Sequence, residues 1–328
     1  MLALARIRFL LPRPIRIAAR AMNTKSEMTR LFHNITRSAL GRHRVKLFRW
    51  HRALRDLSRL ARADVAFVSH AKAGRTWVRV MISRLYQKKY YLVDSEIIEH
   101  DNFYAKCSSI PIFLFSMGNY IADIRPIKGE NSPFQKKKLI FLARHPADTA
   151  VSYYFQLCGR TNPDRLDIKR LPANLSGTPI HDFMSNPDYG LPSVIRYMNR
   201  WAETLRSHPQ HLLLRYEDMR AHPEAELKRI GAFLGESFTQ NELDEAIEFA
   251  SFNKLKEKER ANYFGNSRLQ ARDLNNPESF KVRRGKVGGF RDYFNDVEIT
   301  WIEHLVDKEL THIYGYMRGA GSFARDTP

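Results

Sequence analysis

Residues 65–87 read VAFVSHAKAGRTWVRVMISRLYQ, and the order of patterns within them decides the fold. VAFVSH is a short apolar run of strand character, AKAGRTW interrupts it with a glycine and two cations, and VRVMISRLYQ continues at helical period. A strand that runs through a glycine-containing loop into a helix makes an anion site, because loop N–H groups and the helix N-terminus face one point. Lys72 and Thr76 add a cation and a hydroxyl there. The loop is not GxxxxGK[ST], since Lys72 precedes Gly74 instead of ending the loop, so a nucleoside-triphosphate P-loop is not matched.

Outward from this stretch the pattern repeats. Further strands are predicted at Ile110–Phe115, at Leu139–Ala143 after the basic turn Lys136, Lys137 and Lys138, and at 212–217 (LLLRYE). Helices are predicted at Ser193–Arg206, Pro223–Leu234 and Asn241–Ala250, after a region rich in Pro and Gly from 162 to 192. Strands separated by helices predict an α/β fold: a single domain with a mostly parallel central sheet flanked by helices on both faces. The simplest division is an N-terminal extension over 1–60, one domain over 61–318 and a mobile tail over 319–328.

The 328 residues carry 54 Lys and Arg against 35 Asp and Glu, a formal charge of +19 that implies an anionic partner. Most of the excess is N-terminal: the first 60 residues hold 15 Lys and Arg against only Glu27 and Asp56. Within this arm Leu47, Trp50, Leu54 and Leu57 recur at helical spacing among Arg49, Arg52, Arg55 and Arg59, a basic amphipathic helix. Three readings of the arm stay open: attachment to an anionic membrane surface, a targeting peptide, and a solvated extension packing one face on the domain. No helix-turn-helix, zinc-finger or RNP pattern accompanies the charge, which weighs against nucleic acid. Cys107 and Cys158 are the only cysteines, so no disulfide framework is implied and a reducing, cytoplasmic setting is expected. No Cys/His cluster has metal-ligand spacing, and no metal is expected. His51, His70 and the other scattered histidines read as plain surface or core residues.

Two later segments repeat the pairing of cations with strand ends. In LIFLARHPADTAVSYY, Arg144 follows a strand and can hold a phosphate bidentately, and Ser152 lies about two helical turns further on; the plainer reading pairs Arg144 with Asp148. In VRRGKVGGFRDYF, Arg283 and Arg284 stand beside Gly285 in a loop able to close over an anion.

Together these segments resemble the cytosolic-type sulfotransferases that use 3′-phosphoadenosine-5′-phosphosulfate (PAPS), including bacterial members. The resemblance runs from Val65 to Gly315, with KAGRTW, IFLARHPADTAVSYY, LRYEDMRAHPEAELKRIGAFLG, ASFNKLKE and RRGKVGGFRDYF in the family's order. It implies a P-loop-like phosphosulfate loop in which Lys72, Ala73, Gly74, Arg75, Thr76 and Trp77 lie around the 5′-phosphosulfate and the adenine. Arg144 and Ser152 would hold the 3′-phosphate, Arg283, Arg284 and Gly285 would lie over it, and Tyr216, Ser251 and Phe252 would contact the adenosine. Ala73 and Arg75 stand where many members have Ser and Thr; Ala73 donates no side-chain hydrogen bond, so the loop relies on its amides, Lys72 and Thr76, with Arg75 a further candidate. The implied reaction moves a sulfuryl group from PAPS to a hydroxyl or amine of an acceptor that the sequence does not identify, a carbohydrate and a lipid among the classes left open.

Such a transfer needs a cation at the leaving group, for which Lys72 is the candidate, and a general base on the acceptor. Where the resemblance expects a histidine, FLFSMGNY offers Ser116, Met117 and Gly118, and Met117 accepts no proton. The substitute is His100 in EHDNF, flanked by Glu99 and Asp101 and lying between the same two strands. The missing base also supports a second expectation, a PAPS- or PAP-binding protein of the same fold with weak or no transferase activity.

Overall fold

The structure is a computed structural model that describes residues 44–316 apart from 160, 162, 173, 267–268, 271–272 and 276–279. Residues 1–43, with most of the basic arm, and the expected tail 319–328 lie outside the described residues. The chain forms two compact units that meet between His51 and Arg52, upstream of the expected boundary at 60/61. The first described helix, α1 (Arg44–Arg62), crosses that point, and everything below concerns the second unit.

Four strands, β1 (Val65–Ser69), β2 (Phe113–Ser116), β3 (Lys138–Ala143) and β4 (His211–Arg215), form one parallel sheet in the order β2-β1-β3-β4. Val65 pairs with Phe113 and with Lys138, and Leu139 with His211, so all four strands end at the same edge. Between them run α2 (Arg75–Lys89), α3 (Asn119–Ala122), α4 (Pro146–Gly159), α5 (Pro163–Ile168), α6 (Ile180–Ser185) and α7 (Leu191–Ser207). After β4 come α8 (Tyr216–Ala221), α9 (Pro223–Leu234), α10 (Gln240–Phe249), α11 (Phe252–Arg260) and, past a 3-10 turn at Gly289–Tyr293, α12 (Asp296–Glu309).

The sheet is buried on both faces, and the period of two along each strand sorts its side chains. Ala66 and Val68 of β1, with Leu139 and Phe141 of β3, pack against α4, α7 and α12; Val65 and Phe67, with Ile140 and Leu142, pack against α2, α9 and α10. Phe141 meets the Trp201 and Tyr314 rings at 5.9 and 5.8 Å, and the Tyr314 hydroxyl donates to the Met198 carbonyl at 2.7 Å, tying the end of the domain to α7. From α1, Ala53, Leu57 and Leu60 turn inward, whereas Leu54 of the expected apolar stripe is exposed. Capping boxes at Thr239–Glu242 and Asn295–Glu298 fix the starts of α10 and α12.

Of the strand boundaries, two differ from expectation by more than one residue. β2 begins at Phe113 and not at Ile110, because Pro111 has no N–H and the Ile112 amide donates to the Asp64 carboxylate at 2.8 Å instead of to a neighbouring strand. β4 ends at Arg215, and Tyr216 and Glu217 open α8.

Candidate active site

Because β1 has β2 on one side and β3 on the other, the loops leaving β1 and β3 diverge and open a crevice at the strand ends, the usual ligand site of an open parallel sheet. Arg144, just past β3, spans this crevice. Its guanidinium donates to the Lys72 carbonyl and to the Lys286 carbonyl, both at 3.2 Å, while its buried Nε has no hydrogen-bond partner. Asp148 lies 3.7 Å away, but its two oxygens accept the Gly288 and Phe290 amides at 2.8 and 2.9 Å. The carboxylate therefore anchors the loop that closes the crevice, and its contact with Arg144 is secondary.

The loop after β1 turns through two left-handed residues, Lys72 at φ 72° and Gly74 at φ 102°, with Ala73 buried between them. Gly74 caps α2, and a Cβ there would fall 2.6 Å from the Tyr216 ring, so only glycine fits beneath that aromatic. Thr76 follows in the first turn, where helix N–H groups lack intrahelical acceptors. Tyr216 continues into an aromatic wall: Trp77 stands edge-on at 5.5 Å, Arg144 lies over the Tyr216 ring at 4.5 Å and Arg220 over the Trp77 ring at 5.6 Å. The Trp77 indole donates to the Ala250 carbonyl at 2.9 Å, which brings Ser251, at the N-cap position of α11, to the same wall. The Tyr216 hydroxyl donates to the Gly285 carbonyl at 3.4 Å, and Gly285, at φ 62°, sits close over Phe252. Burial raises the Tyr216 hydroxyl above its ordinary range, against the pull of Arg144 and Arg220, which keeps it a donor.

Asp148, Ser152 and Phe155 share one face of α4 by helical spacing, and that face meets the closing loop. Arg283 lies over the Phe155 ring at 4.0 Å and donates to the Tyr293 hydroxyl at 2.5 Å. Arg284 donates to the same hydroxyl at 3.0 Å and pairs with Asp292, which also binds Lys286 at 2.7 Å. The predicted residues Lys72, Ala73, Gly74, Thr76, Trp77, Arg144, Ser152, Tyr216, Ser251, Phe252, Arg283, Arg284 and Gly285 are thus gathered along one edge of the sheet. Asp292 and Tyr293 were not foreseen, although Asp292 stands inside an otherwise basic segment, and Asp148, expected only as a partner of Arg144, holds the closing loop instead.

Two expectations need correction. Arg75 offers the loop its backbone amide, while its side-chain Nη1 turns to the strand ends, donating to the Ser69 carbonyl at 3.0 Å, the Ser69 hydroxyl at 3.1 Å and the Ser116 carbonyl at 2.5 Å. His100 lies at the opposite edge of the sheet. Its Nδ1 is 2.9 Å from the Phe113 carbonyl, its own carbonyl accepts the Phe113 amide at 3.1 Å, and Phe113 pairs with the first residue of β1. The length of β1, about 13 Å at ~3.3 Å per residue, separates that edge from the loop carrying Lys72. His100 therefore cannot act as the base there. Met117 does lie at the expected edge, and its carbonyl accepts the Tyr197 hydroxyl at 3.0 Å.

Known proteins agree with this architecture. Mouse sulfotransferase 1B1 is 25% identical over 273 residues, covering 76% of this chain and 83% of its own length. Mouse sulfotransferase 1A1 is 32% identical over a shorter 162 residues, 49% of this chain and 51% of its own length. Among solved structures, mouse sulfotransferase SULT7A1 complexed with PAP superposes with a TM-score of 0.52 at 20% identity, covering 80% of this chain and 91% of that one. Retinol dehydratase in complex with androsterone and the inactive cofactor PAP gives 0.51 at 18%, covering 80% and 87%. At these identities the structural likeness is one of fold. The family described as "Sulfotransferase domain" matches residues 62–313, and the chain belongs to that family.

Proposed function

We propose that this protein transfers a sulfuryl group from PAPS to a hydroxyl or amine of an acceptor. The observation that carries the reading is the β1/β3 crevice, where Arg144 reaches both the Lys72 loop and the 283–288 loop with its buried Nε unpartnered. A half-buried guanidinium whose inaccessible Nε lacks an acceptor calls for an anion. PAP in the fold neighbours' structures supports PAPS as the donor.

On this reading the amides of 73–76, the Lys72 ammonium and the Thr76 hydroxyl hold the 5′-phosphosulfate, and Trp77, Tyr216, Ser251 and Phe252 receive the adenosine. Arg144, Ser152, Arg283, Arg284 and the Gly285 backbone hold the 3′-phosphate. PAPS supplies the sulfuryl group; the chain supplies a cation where negative charge grows on the leaving oxygen, and alignment of the two reactants. Met117 in place of a base favours one other reading, a protein that binds PAPS or PAP without transferring.

Incubation with labelled PAPS and cell extract, followed by mass spectrometry of labelled products, tests the proposal. Label on an acceptor at a rate above the protein-free control supports transfer. Tight binding of PAPS with no labelled product supports the binding-only reading.

A further inference from the structure

His70 directly follows β1 and, like Ala66 and Val68, points to the face covered by α4 and α7. Its ring stands edge-on to Tyr153 of α4 at 5.3 Å and to Tyr197 of α7 at 4.9 Å. The same Tyr197 holds the Met117 carbonyl through its hydroxyl, so the imidazole lies at the mouth formed by the ends of β1 and β2. Nδ1 is 2.8 Å from the Ala71 carbonyl. A carbonyl only accepts, so in the neutral ring Nδ1 carries the hydrogen and Nε2 keeps its lone pair. No protein group among the described residues bonds Nε2.

We infer that His70 is the general base of the transfer, taking the proton of an acceptor hydroxyl through Nε2. The inference rests on the proposed transferase reading. In-line displacement requires the nucleophile to approach opposite the leaving group. The aromatic wall of Trp77 and Phe252 lies toward the α2 and α11 side of the Lys72 loop, whereas His70 points to the α4 and α7 face. The adenosine wall and the imidazole therefore flank the loop from opposite sides, while the 3′-phosphate end proposed for Arg144 and Ser152 lies toward α4. As the acceptor oxygen bonds to sulfur, its O–H electron pair becomes that bond and the proton passes to Nε2. The bond from sulfur to the phosphate oxygen breaks, and that oxygen keeps the electron pair under the charge of Lys72. The imidazolium then returns its proton to water.

The groups facing His70 set its protonation. Its pKa is lowered to about 4, chiefly by burial; the Ala71 hydrogen bond opposes the shift, and the like charges of Arg75 and Lys169 add to it. Tyr153 and Tyr197, both pushed up by burial, stay neutral. The free ring is consequently an unprotonated acceptor at neutral pH. A polyanion in the Lys72 loop offsets Arg75 and Lys169 and raises its proton affinity when transfer is due.

Two measurements test this. In nitrogen-15 NMR of the histidines, His70 should show the Nδ1–H tautomer at neutral pH, and its pKa should rise by about one unit or more when PAP is added. An Nε2–H tautomer, or a pKa that PAP does not move, overturns the base. With labelled PAPS, H70Q and H70F should lose about 10²- to 10⁴-fold in kcat toward benzyl alcohol and phenol. Both should keep most of their rate toward 4-nitrophenol assayed as its anion, which has no proton to remove. H70F retains a ring between the two tyrosines and so controls for packing. Equal loss on all three acceptors, or no loss, overturns the base while leaving the transferase reading intact. A wild type that binds PAP and sulfates none of the three, with no product from cell extract, overturns the transferase reading and the base with it.

Discussion

At Lys72 a left-handed backbone and a cation coincide, and the two are separable by mutation. Lys72→Ala keeps the same demand on φ but removes the charge proposed to face the leaving oxygen. Loss of one such group costs about 10²- to 10³-fold in kcat. The expected result is that loss in the PAPS transfer assay with PAP affinity changed far less; an unchanged kcat would remove Lys72 from the chemistry. Asp148 acts differently, because it bonds two amides of the closing loop from a buried position. Asp148→Ala leaves both donors unmet and should lower unfolding stability by about 1–3 kcal/mol. A urea midpoint equal to that of wild type would show that the loop finds other partners. Sequence reading located Lys72 because strand, loop and helix fix where its backbone must be. It set Asp148 aside as an ion-pair partner, since hydrogen bonds from residues 140 positions away leave no local pattern. His70 was passed over as ordinary, although its place directly after β1 put it at the edge where parallel sheets bind ligands.

Among the elements, the segment β1-loop-α2 does most to shape the site. Gly74→Ala tests it: a left-handed non-glycine costs about 1–2 kcal/mol, and the new methyl meets Tyr216 at 2.6 Å. The expected outcome is a lower thermal midpoint together with weaker PAP binding, because the aromatic wall must shift. Unaltered PAP affinity in a calorimetric titration would separate Tyr216 from the ligand. The strands were legible in outline because each is a short apolar run between turns, and α9 was read with its observed ends. β2 was misplaced where a side chain, Asp64, replaced the strand ladder. His100 was misplaced for a topological reason that the sequence did contain. A chain crossing over to a parallel strand must return to that strand's start, so a residue just before β2 belongs to the edge away from Lys72.

For the molecule as a whole, the histidines whose pKa is lowered by burial, His70, His145 and His208, make stability depend on pH. His70 and His145 are both lowered to about 4, chiefly by burial, while an unfolded histidine titrates near 6.5. Below about pH 6.5 the unfolded chain binds protons that the folded chain refuses, so stability is full above that value and falls toward about pH 4, by roughly 1.4 kcal/mol per pH unit for each histidine. Urea midpoints measured across this range should decline, and less steeply in H70F; a flat profile would mean the rings are protonated when folded. Charge distribution bears on the central claim as well. The arm carries most of the excess charge, yet the proposed site uses a few placed cations, Lys72, Arg144, Arg283 and Arg284, and only placed cations discriminate between nucleotides. Calorimetric titration with PAP and with AMP is therefore the most direct measurement. PAP should bind at least about 100-fold tighter, since AMP forfeits charge-assisted hydrogen bonds worth about 1.5–3 kcal/mol each, and equal affinities would contradict the assignment of this crevice to PAPS.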